Sequence, residues 1–249
     1  MLREALEERS VTVVEAIRAD GDRWYSLTDC TGSCCPAEGT VYDVTSHPLT
    51  AQSVLDGQVV MGSRRELADS LIGTDPEAIA AVEDAADRAM TRFQAAARHP
   101  LGPSASQQAK AHMVGEGEWV RERVCRYLGD GQRLDVEETG RILVALIAID
   151  VRDVAWAEMT RANADRHVRL WRDVLQRSPY DLMAAPAGLL GFAAWLSGDG
   201  ALAWCAVERC QEVEPDYRLA GLLTSALANA VSPSVWRPID RAGLALFAS

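Results

Sequence analysis

The sequence predicts an α+β protein that is mainly helical. In the first 60 positions, β-branched and aromatic residues flank an Asp-Gly pair, which is a strong signal for a hairpin turn. From residue 63 onward, helix-capping sequences and apolar residues at helical spacing recur along the chain. We therefore expect a small α+β part over residues 1–62, carrying a cysteine-rich loop, and an all-helical domain over residues 63–249.

A short helix opens the N-terminal part, because the segment LREALEERS has helical spacing. Two strands follow, VTVVEAI at 11–17 and RWYSLT at 23–28, with Asp20-Gly21 as the turn between them. An isolated two-stranded hairpin is only marginally stable in water. This one therefore needs further sheet, or a helix, to pack against.

Capping boxes indicate where helices of the larger domain begin. Each box places a capping side chain three residues before a glutamate, and they are Ser63 with Glu66, Thr74 with Glu77, and Asp135 with Glu138. The expected helices span residues 64–72, 75–98, 105–127, 136–149, 151–160, 163–177, 182–197, 200–213 and 216–230. The tail after them contains two prolines and is expected to be packed but irregular.

One segment of the helical domain has the spacing of a tetratricopeptide unit. Leu190-Gly191, Ala203 and Pro215 lie where a unit of about 34 residues places its Leu-Gly pair, its second-helix alanine and its closing proline. Small residues at 191 and 203 allow two helices to approach closely, and Gly198-Asp199-Gly200 turns the chain. No second unit follows in register. We expect a single tetratricopeptide-like helical hairpin inside the domain.

Composition excludes two classes of partner. The net charge is −11, and the arginines are scattered among acidic residues, whereas a nucleic-acid binder needs a positive stripe. No apolar stretch approaches the roughly 20 residues of a membrane span, and no cationic start leads into an apolar run. We expect a cytoplasmic protein that contacts neither nucleic acid nor membrane.

The segment DCTGSCCPAEGT, residues 29–40, is the first candidate functional loop, with Cys30, Cys34, Cys35 and Glu38 as its candidate residues. A closed zinc site needs four ligands, and three sulfurs do not complete one. A reducing compartment disfavours a stable disulfide. A redox-sensing pair, a metal site completed from outside the loop, and plain packing in a tight turn remain open.

Arg152, Asp153 and Trp156 form a second candidate patch. Arg152 and Asp153 would serve as an acid–base pair in a cleft, although adjacent Arg and Asp at a helix start are more often a cap and a solvated charge. No metalloprotease, serine-hydrolase, phosphate-loop or dinucleotide motif occurs in the sequence. We therefore assign no catalytic residue and expect no cofactor and no metal.

The remaining cysteines and histidines are expected to be structural. Cys125, Cys205 and Cys210 occur among alanine and leucine in helical patterns, which predicts core positions. The histidines at 99, 112 and 167 are separated by breakers or helix-length gaps, so we expect surface or capping roles for them.

Six segments follow one another along the chain: GDRWYSL, CCPAEGT, VRDVAWAEM, LWRDVL, APAGLLGFAAWLSGDGALAWCAVERC and EPDYRLAGLL. In this order they resemble the actinobacterial domain of unknown function 4192 family, over roughly residues 5–238. The resemblance implies no activity, cofactor or site residue. Members of the family usually carry a further α/β segment before the hairpin, and nothing here matches it. We expect the hairpin to lack sheet partners and to form a homodimer through its outer strand.

The absence of catalytic motifs and the helical-hairpin content favour a protein-interaction or scaffold module with an unidentified protein partner. The alternative is an enzyme of unknown reaction, or a thiol- or metal-responsive protein, that uses Cys30, Cys34, Cys35 and Glu38. The position of this loop relative to Arg152 and Asp153 would separate the two hypotheses.

Overall fold

A computed structural model describes residues 2–8, 12–27, 36–43, 48, 63–97 and 103–247. The chain divides into two compact units, Met1–Met61 and Gly62–Ser249. The first holds a small antiparallel sheet and the second is helical. The predicted class, α+β and mainly α, is confirmed.

The N-terminal unit contains helix α1 (Leu2–Glu7) and strands β1 (Ile17–Asp20), β2 (Arg23–Ser26) and β3 (Thr40–Val41), in sheet order β1-β2-β3. Both strand pairs are antiparallel. The predicted turn is correct: Asp20 pairs with Arg23, and Gly21 takes a φ of +62°, which glycine adopts without strain.

The predicted strand at 11–17 is wrong, because β1 begins only at Ile17 and the described residues before it form no strand. The tight turn sets the register, so the paired residues are those closest to it. The sequence also did not predict β3. It pairs with the other edge of β2, and the Arg23 guanidinium donates to the carbonyls of Glu38 and Gly39 at 3.0 Å each.

The second unit is built from helices joined by short turns. These are α2 (Arg64–Asp69), α3 (Pro76–Ala97), α4 (Pro103–Asp130), α5 (Val136–Ala145), α6 (Ile149–Ala157), α7 (Ala164–Gln176), α8 (Ala184–Ser197), α9 (Gly200–Val213) and α10 (Arg218–Ala228), with 3-10 turns at Tyr180–Leu182, Pro233–Val235 and Arg241–Gly243. The expected helices are all present, with ends that differ by a few residues. None of the described helices is long and apolar enough to cross a membrane.

Helix starts follow their capping residues. Asp135 and Glu138 form the complete capping box predicted for α5. For α3 the predicted cap, Thr74, is wrong: the Asp75 carboxylate accepts from the Ala78 N–H at 3.0 Å. Pro76 is the reason, because proline favours the first helical position and makes the residue before it the cap.

Helix α8 is the centre of the core, since all but its last residue are buried. It packs against α7, α9 and α10, while α3 packs on α5 and α4 packs on α6. The irregular tail is packed as expected: Leu244 and Leu246 are buried, and the Trp236 indole donates to the Met159 carbonyl at 3.1 Å. Helix α2 packs on α9, where Arg64 pairs with Glu208 at 2.5 Å.

The predicted helical hairpin is formed by α8 and α9. Gly198 ends α8 with a φ of +89°, and the Asp199 carboxylate caps α9 by accepting from the Leu202 N–H at 2.9 Å. A Cβ at Gly191 would lie 3.5 Å from the Ala203 carbonyl oxygen and 3.4 Å from the Val207 side chain. The close approach expected between the two helices is therefore present.

Candidate functional site

The cysteine loop falls largely outside the described residues, since Cys30, Cys34 and Cys35 are not among them. Glu38 belongs to the described part of the N-terminal unit and is exposed. Within the described residues, no group of three His, Cys, Asp or Glu side chains is arranged to hold a metal ion. Free thiols without zinc at this loop remain a prediction.

A pocket of about 430 Å³ lies in the helical unit where three connections meet. They are the α5–α6 connection, the 3-10 turn Tyr180–Leu182 and the α9–α10 turn. Its apolar lining consists of Leu143, Leu146, Ile147, Ile149, Leu182, Ala184 and Ala185. Its polar lining consists of Arg152, Asp181, Glu214, Asp216, Tyr217 and Arg218. A few polar groups in a mainly apolar concavity are typical of ligand sites.

Arg152 is the buried cation of this pocket. It lies on α6, and only 5% of its surface is exposed. Its Nε and Nη2 donate to one oxygen of the Asp153 carboxylate, the Nε bond being 3.0 Å long. Its Nη1 is buried and makes no hydrogen bond of good geometry to the described residues, although the Tyr217 hydroxyl interacts with the same guanidinium. Six other buried side-chain nitrogens of the described residues are in the same state, so this feature is not specific to the pocket.

The Arg152 guanidinium stays protonated, and therefore positively charged, at neutral pH. Burial acts to lower its pKa, but the Tyr217 hydroxyl and the Asp153 carboxylate together outweigh burial, so the pKa is raised. Arginine is in any case protonated in proteins at neutral pH. Arg152 is therefore a permanent positive charge beside the pocket, balanced by the Asp153 carboxylate that it binds.

Tyr217 stands beside this guanidinium, whose carbon lies 5.4 Å from the centre of the phenol ring. The ring packs against α8, where a Cβ at Gly188 would lie 3.0 Å from the ring, so glycine makes room for it. Burial raises the pKa of Tyr217 to about 12, although the Arg152 cation opposes that shift. The hydroxyl is neutral near pH 7 and available as a hydrogen-bond donor.

Cys210 is the third polar group close to the arginine. Its thiol donates to the Ala184 carbonyl at 3.1 Å, and burial raises its pKa to about 12. Arg152, Tyr217 and Cys210 thus keep fixed protonation states around pH 7, whereas a general acid or base needs a pKa near the working pH. None of these three groups is therefore set to act as a general acid or base near pH 7.

The second candidate patch is only partly assembled at this pocket. Arg152 lines it and is buried, so it is not a solvated charge. Asp153 holds the guanidinium without lining the pocket. Trp156 packs instead with Phe192 and Trp236, at ring-centre distances of 5.3 and 5.4 Å.

Sequence reasoning missed Tyr217, which is the other polar group of the pocket interior. The signal was the turn sequence EPDY, in which an aromatic residue follows the helix-ending proline. This tyrosine becomes part of the pocket only because it lies beside Arg152 of α6, which is more than 60 residues earlier in the chain. Only the fold brings the two together.

His167 is neither a surface nor a capping residue, so that prediction is wrong. It is fully buried on α7, where it accepts from the Trp171 indole through Nδ1 at 3.3 Å and lies 3.3 Å from the Glu158 carbonyl through Nε2. The helical spacing of residues 167 and 171 makes this pair. The core positions predicted for Cys205 and Cys210 are confirmed, and Cys125 is half-buried.

Comparison with models of protein families gives a match. The model of a family described as a domain of unknown function, number 4192, matches residues 1–234. No curated protein and no solved structure matches the chain significantly. Because the match covers nearly the whole chain, the protein belongs to the domain of unknown function 4192 family.

Proposed function

We propose that the helical unit is a protein-interaction module and that the pocket around Arg152 and Tyr217 is its ligand site. The observation that carries this proposal is the apolar mouth of the pocket, where Ile147 and Ile149 are about half exposed. A partner that covers these side chains would remove their apolar surface from water.

The mouth of the pocket supports a protein or peptide ligand. Ile147 and Ile149 line the pocket and are 54% and 47% exposed. Apolar residues exposed at the edge of a concavity are a common feature of interaction sites. A volume of about 430 Å³ accommodates one or two residues of a peptide and is small for a large cofactor.

The proposal includes the cytoplasm as the location and excludes nucleic acid and membrane as partners. The net charge of −11 supports the exclusion of nucleic acid, and the unpaired thiols of the described cysteines are consistent with a reducing compartment. Kinship of the α8–α9 hairpin with tetratricopeptide units is part of the proposal, supported by the close approach at Gly191. The actinobacterial origin and the alternative roles of the cysteine loop stay predictions.

Selection from a random peptide library displayed on phage tests the function on the full chain. We expect the protein to enrich a family of peptides with apolar residues, and we expect Ile149→Asp to weaken their binding about tenfold or more. The isoleucine is half-exposed, so the change places a charge at the pocket mouth without disturbing the core.

The matched control is Leu222→Asp. Leu222 is an exposed apolar residue on α10 that does not line the pocket, so this variant should bind the selected peptides as the wild type does. Circular dichroism and thermal unfolding establish that both variants are folded. A selection that enriches no peptide, or peptides that bind Ile149→Asp with unchanged affinity, would show that the pocket is not an interaction site.

A further inference from the structure

We infer that the partner segment that docks at this pocket is basic and amphipathic: an apolar side chain enters the pocket, and lysine or arginine residues on either side of it contact acidic residues around the mouth. This inference rests on the proposed function and names the chemistry of its partner. It follows from the carboxylates around the mouth, which pair with no cation of the described residues, and from the apolar lining between them.

Each of the three connections that form the pocket carries or adjoins an exposed carboxylate. Asp181 belongs to the 3-10 turn, while Glu214 and Asp216 belong to the α9–α10 turn, and all three line the pocket. Asp150 follows Ile149 at the start of α6 and is also exposed. The acidic residues are therefore distributed around the mouth, beside every connection that forms it.

The fold supplies these carboxylates with no counter-ion among the described residues. Elsewhere in the helical unit many acidic side chains pair with arginines, as Glu137 does with Arg88. Within the described part of the chain, the four side chains at the mouth form neither an ion pair nor a hydrogen bond. A partner that supplies cations would therefore not have to break existing pairs.

The mouth carries a net negative charge. The buried Arg152 is balanced by Asp153, and Arg218, the exposed cation of the lining, offsets one carboxylate of the four. A surface of one sign raises the rate at which partners of the opposite sign associate and disfavours partners of the same sign. The charge of the mouth thus favours a basic segment over an acidic one.

The apolar lining provides the anchor for such a segment. Leu143, Leu146 and Leu182 line the pocket, and Ile147 and Ile149 extend the apolar surface to the mouth. Burial of one leucine or phenylalanine side chain here would contribute most of the binding free energy, whereas exposed charge pairs contribute little each. The charges instead determine which apolar segments bind, because acidic flanks would be repelled by the mouth.

Fluorescence anisotropy with the full chain tests the charge of the partner. The probes are short labelled peptides with capped termini, built around an apolar centre of one leucine and one phenylalanine. Two lysines, two serines or two glutamates flank this centre on each side, and a fourth peptide keeps the lysines but has serines at the centre. We expect the lysine peptide to bind at least about tenfold more tightly than the serine peptide, and the glutamate peptide to bind most weakly of these three. The fourth peptide should bind at least about tenfold more weakly than the first, because it lacks the apolar anchor.

Two double variants assign the charge effect to the mouth. Glu214→Gln with Asp216→Asn removes two exposed carboxylates and keeps the shape of both side chains. It should weaken the lysine peptide by about fivefold to tenfold and leave the serine peptide unchanged. Glu83→Gln with Asp87→Asn is the matched control, since it removes the same charge from exposed positions on α3 that do not line the pocket. That control should bind both peptides as the wild type does, which accounts for any general effect of net charge.

Salt separates the charged contribution from the apolar one. Exposed charges are screened beyond a Debye length of about 10 Å at 0.1 M salt, whereas apolar burial is not screened. Raising sodium chloride from about 50 mM to about 500 mM should weaken the lysine peptide by about fivefold or more and leave the serine peptide nearly unchanged. Ile149→Gln, which changes no charge, should weaken both peptides by a similar factor.

Failure of this inference is distinguishable from failure of the proposed function. Equal affinity for the lysine and serine peptides, or an unchanged affinity of the lysine peptide for Glu214→Gln with Asp216→Asn, would overturn the basic partner. Equally tight binding of the fourth peptide would also overturn it, because it would identify a site for polycations that needs no apolar anchor. If peptides without basic residues bind as tightly as the lysine peptide and are weakened by Ile149→Gln, the interaction function stands and this inference is wrong. If no peptide binds, from the library or from this set, both are wrong.

Discussion

His167 occupies a position in which only the neutral imidazole fits. Its Nδ1 accepts a hydrogen from the Trp171 indole, so the ring proton resides on Nε2 and faces the Glu158 carbonyl. Burial is the main cause of a pKa lowered from 6.5 to about 4, and the carbonyl opposes it only in part. The side chain therefore stays uncharged in the folded protein at pH values where the unfolded chain takes up a proton.

This difference predicts a pH dependence of stability. Between pH 6.5 and 4 the unfolded state binds a proton that the folded state does not, so the free energy of unfolding falls as the pH falls through this window. The expected loss attributable to His167 is about 3 kcal/mol over this window, since each pH unit between the two pKa values contributes about 1.36 kcal/mol. Urea unfolding of the wild type and of His167→Gln between pH 4 and 8 measures it. A difference between the two proteins that is constant with pH would contradict the assignment.

At the scale of elements, the α8–α9 pair shows how close two helices approach when one presents a glycine. A Cβ at Gly191 would lie 3.4 Å from a methyl group of Val207 on α9 and 3.3 Å from one of Leu223 on α10. These distances leave room for a methyl group after small shifts, but not for a longer side chain.

Gly191→Leu should therefore destabilise the protein by about 1–3 kcal/mol through overpacking. Gly221→Leu is the matched control, because it also replaces a helical glycine and nothing lies within 4 Å of a Cβ there. That control should be neutral or slightly stabilising, since leucine is the better helix former. Thermal and urea unfolding of both variants provide the measurement, and equal stabilities would show that the α8–α9 contact is absent.

Local signals account for most of what the sequence predicted at this scale. Capping residues and apolar spacing placed the helices, because a helix is determined largely by residues within a few positions of one another. Strand β3 was missed, since two residues pair with β2 only after an intervening loop brings them there. The sequence did not predict the pocket for a similar reason. Arg152 was identified as a candidate, but Tyr217 lies beside it only because α6, α8 and the α9–α10 turn pack together.

At the scale of the whole molecule, the open question is whether one chain associates with another. Among the described residues, no strand pairs with the outer edge of β1, and its four residues are exposed. Ile17 adds apolar surface at this edge, with 59% of it exposed. An unpaired edge of this kind is a site where a second strand adds readily. We propose a homodimer in which the β1 strands of two copies pair antiparallel.

Sedimentation of the full chain at tens of micromolar, roughly where a modest interface is populated, should report a dimer. Ile17→Lys should shift the equilibrium to monomer, because a lysine on a strand edge disfavours the addition of another strand. Val235→Lys, at an equally exposed valine in the helical unit, should leave the dimer unchanged. A wild type that is monomeric at this concentration would rule the dimer out.

The packing of α2 on α9 also determines how late during synthesis α2 can reach its native position. Arg64 and Glu208, the ion pair between these helices, are separated by 144 residues. At a translation rate of about 5–20 residues per second, α2 leaves the ribosome roughly 7 to 30 s before its partner helix exists. During that interval α2 lacks the helix against which it chiefly packs. The first helix of this unit therefore cannot make its principal native contact until most of the unit has been synthesised.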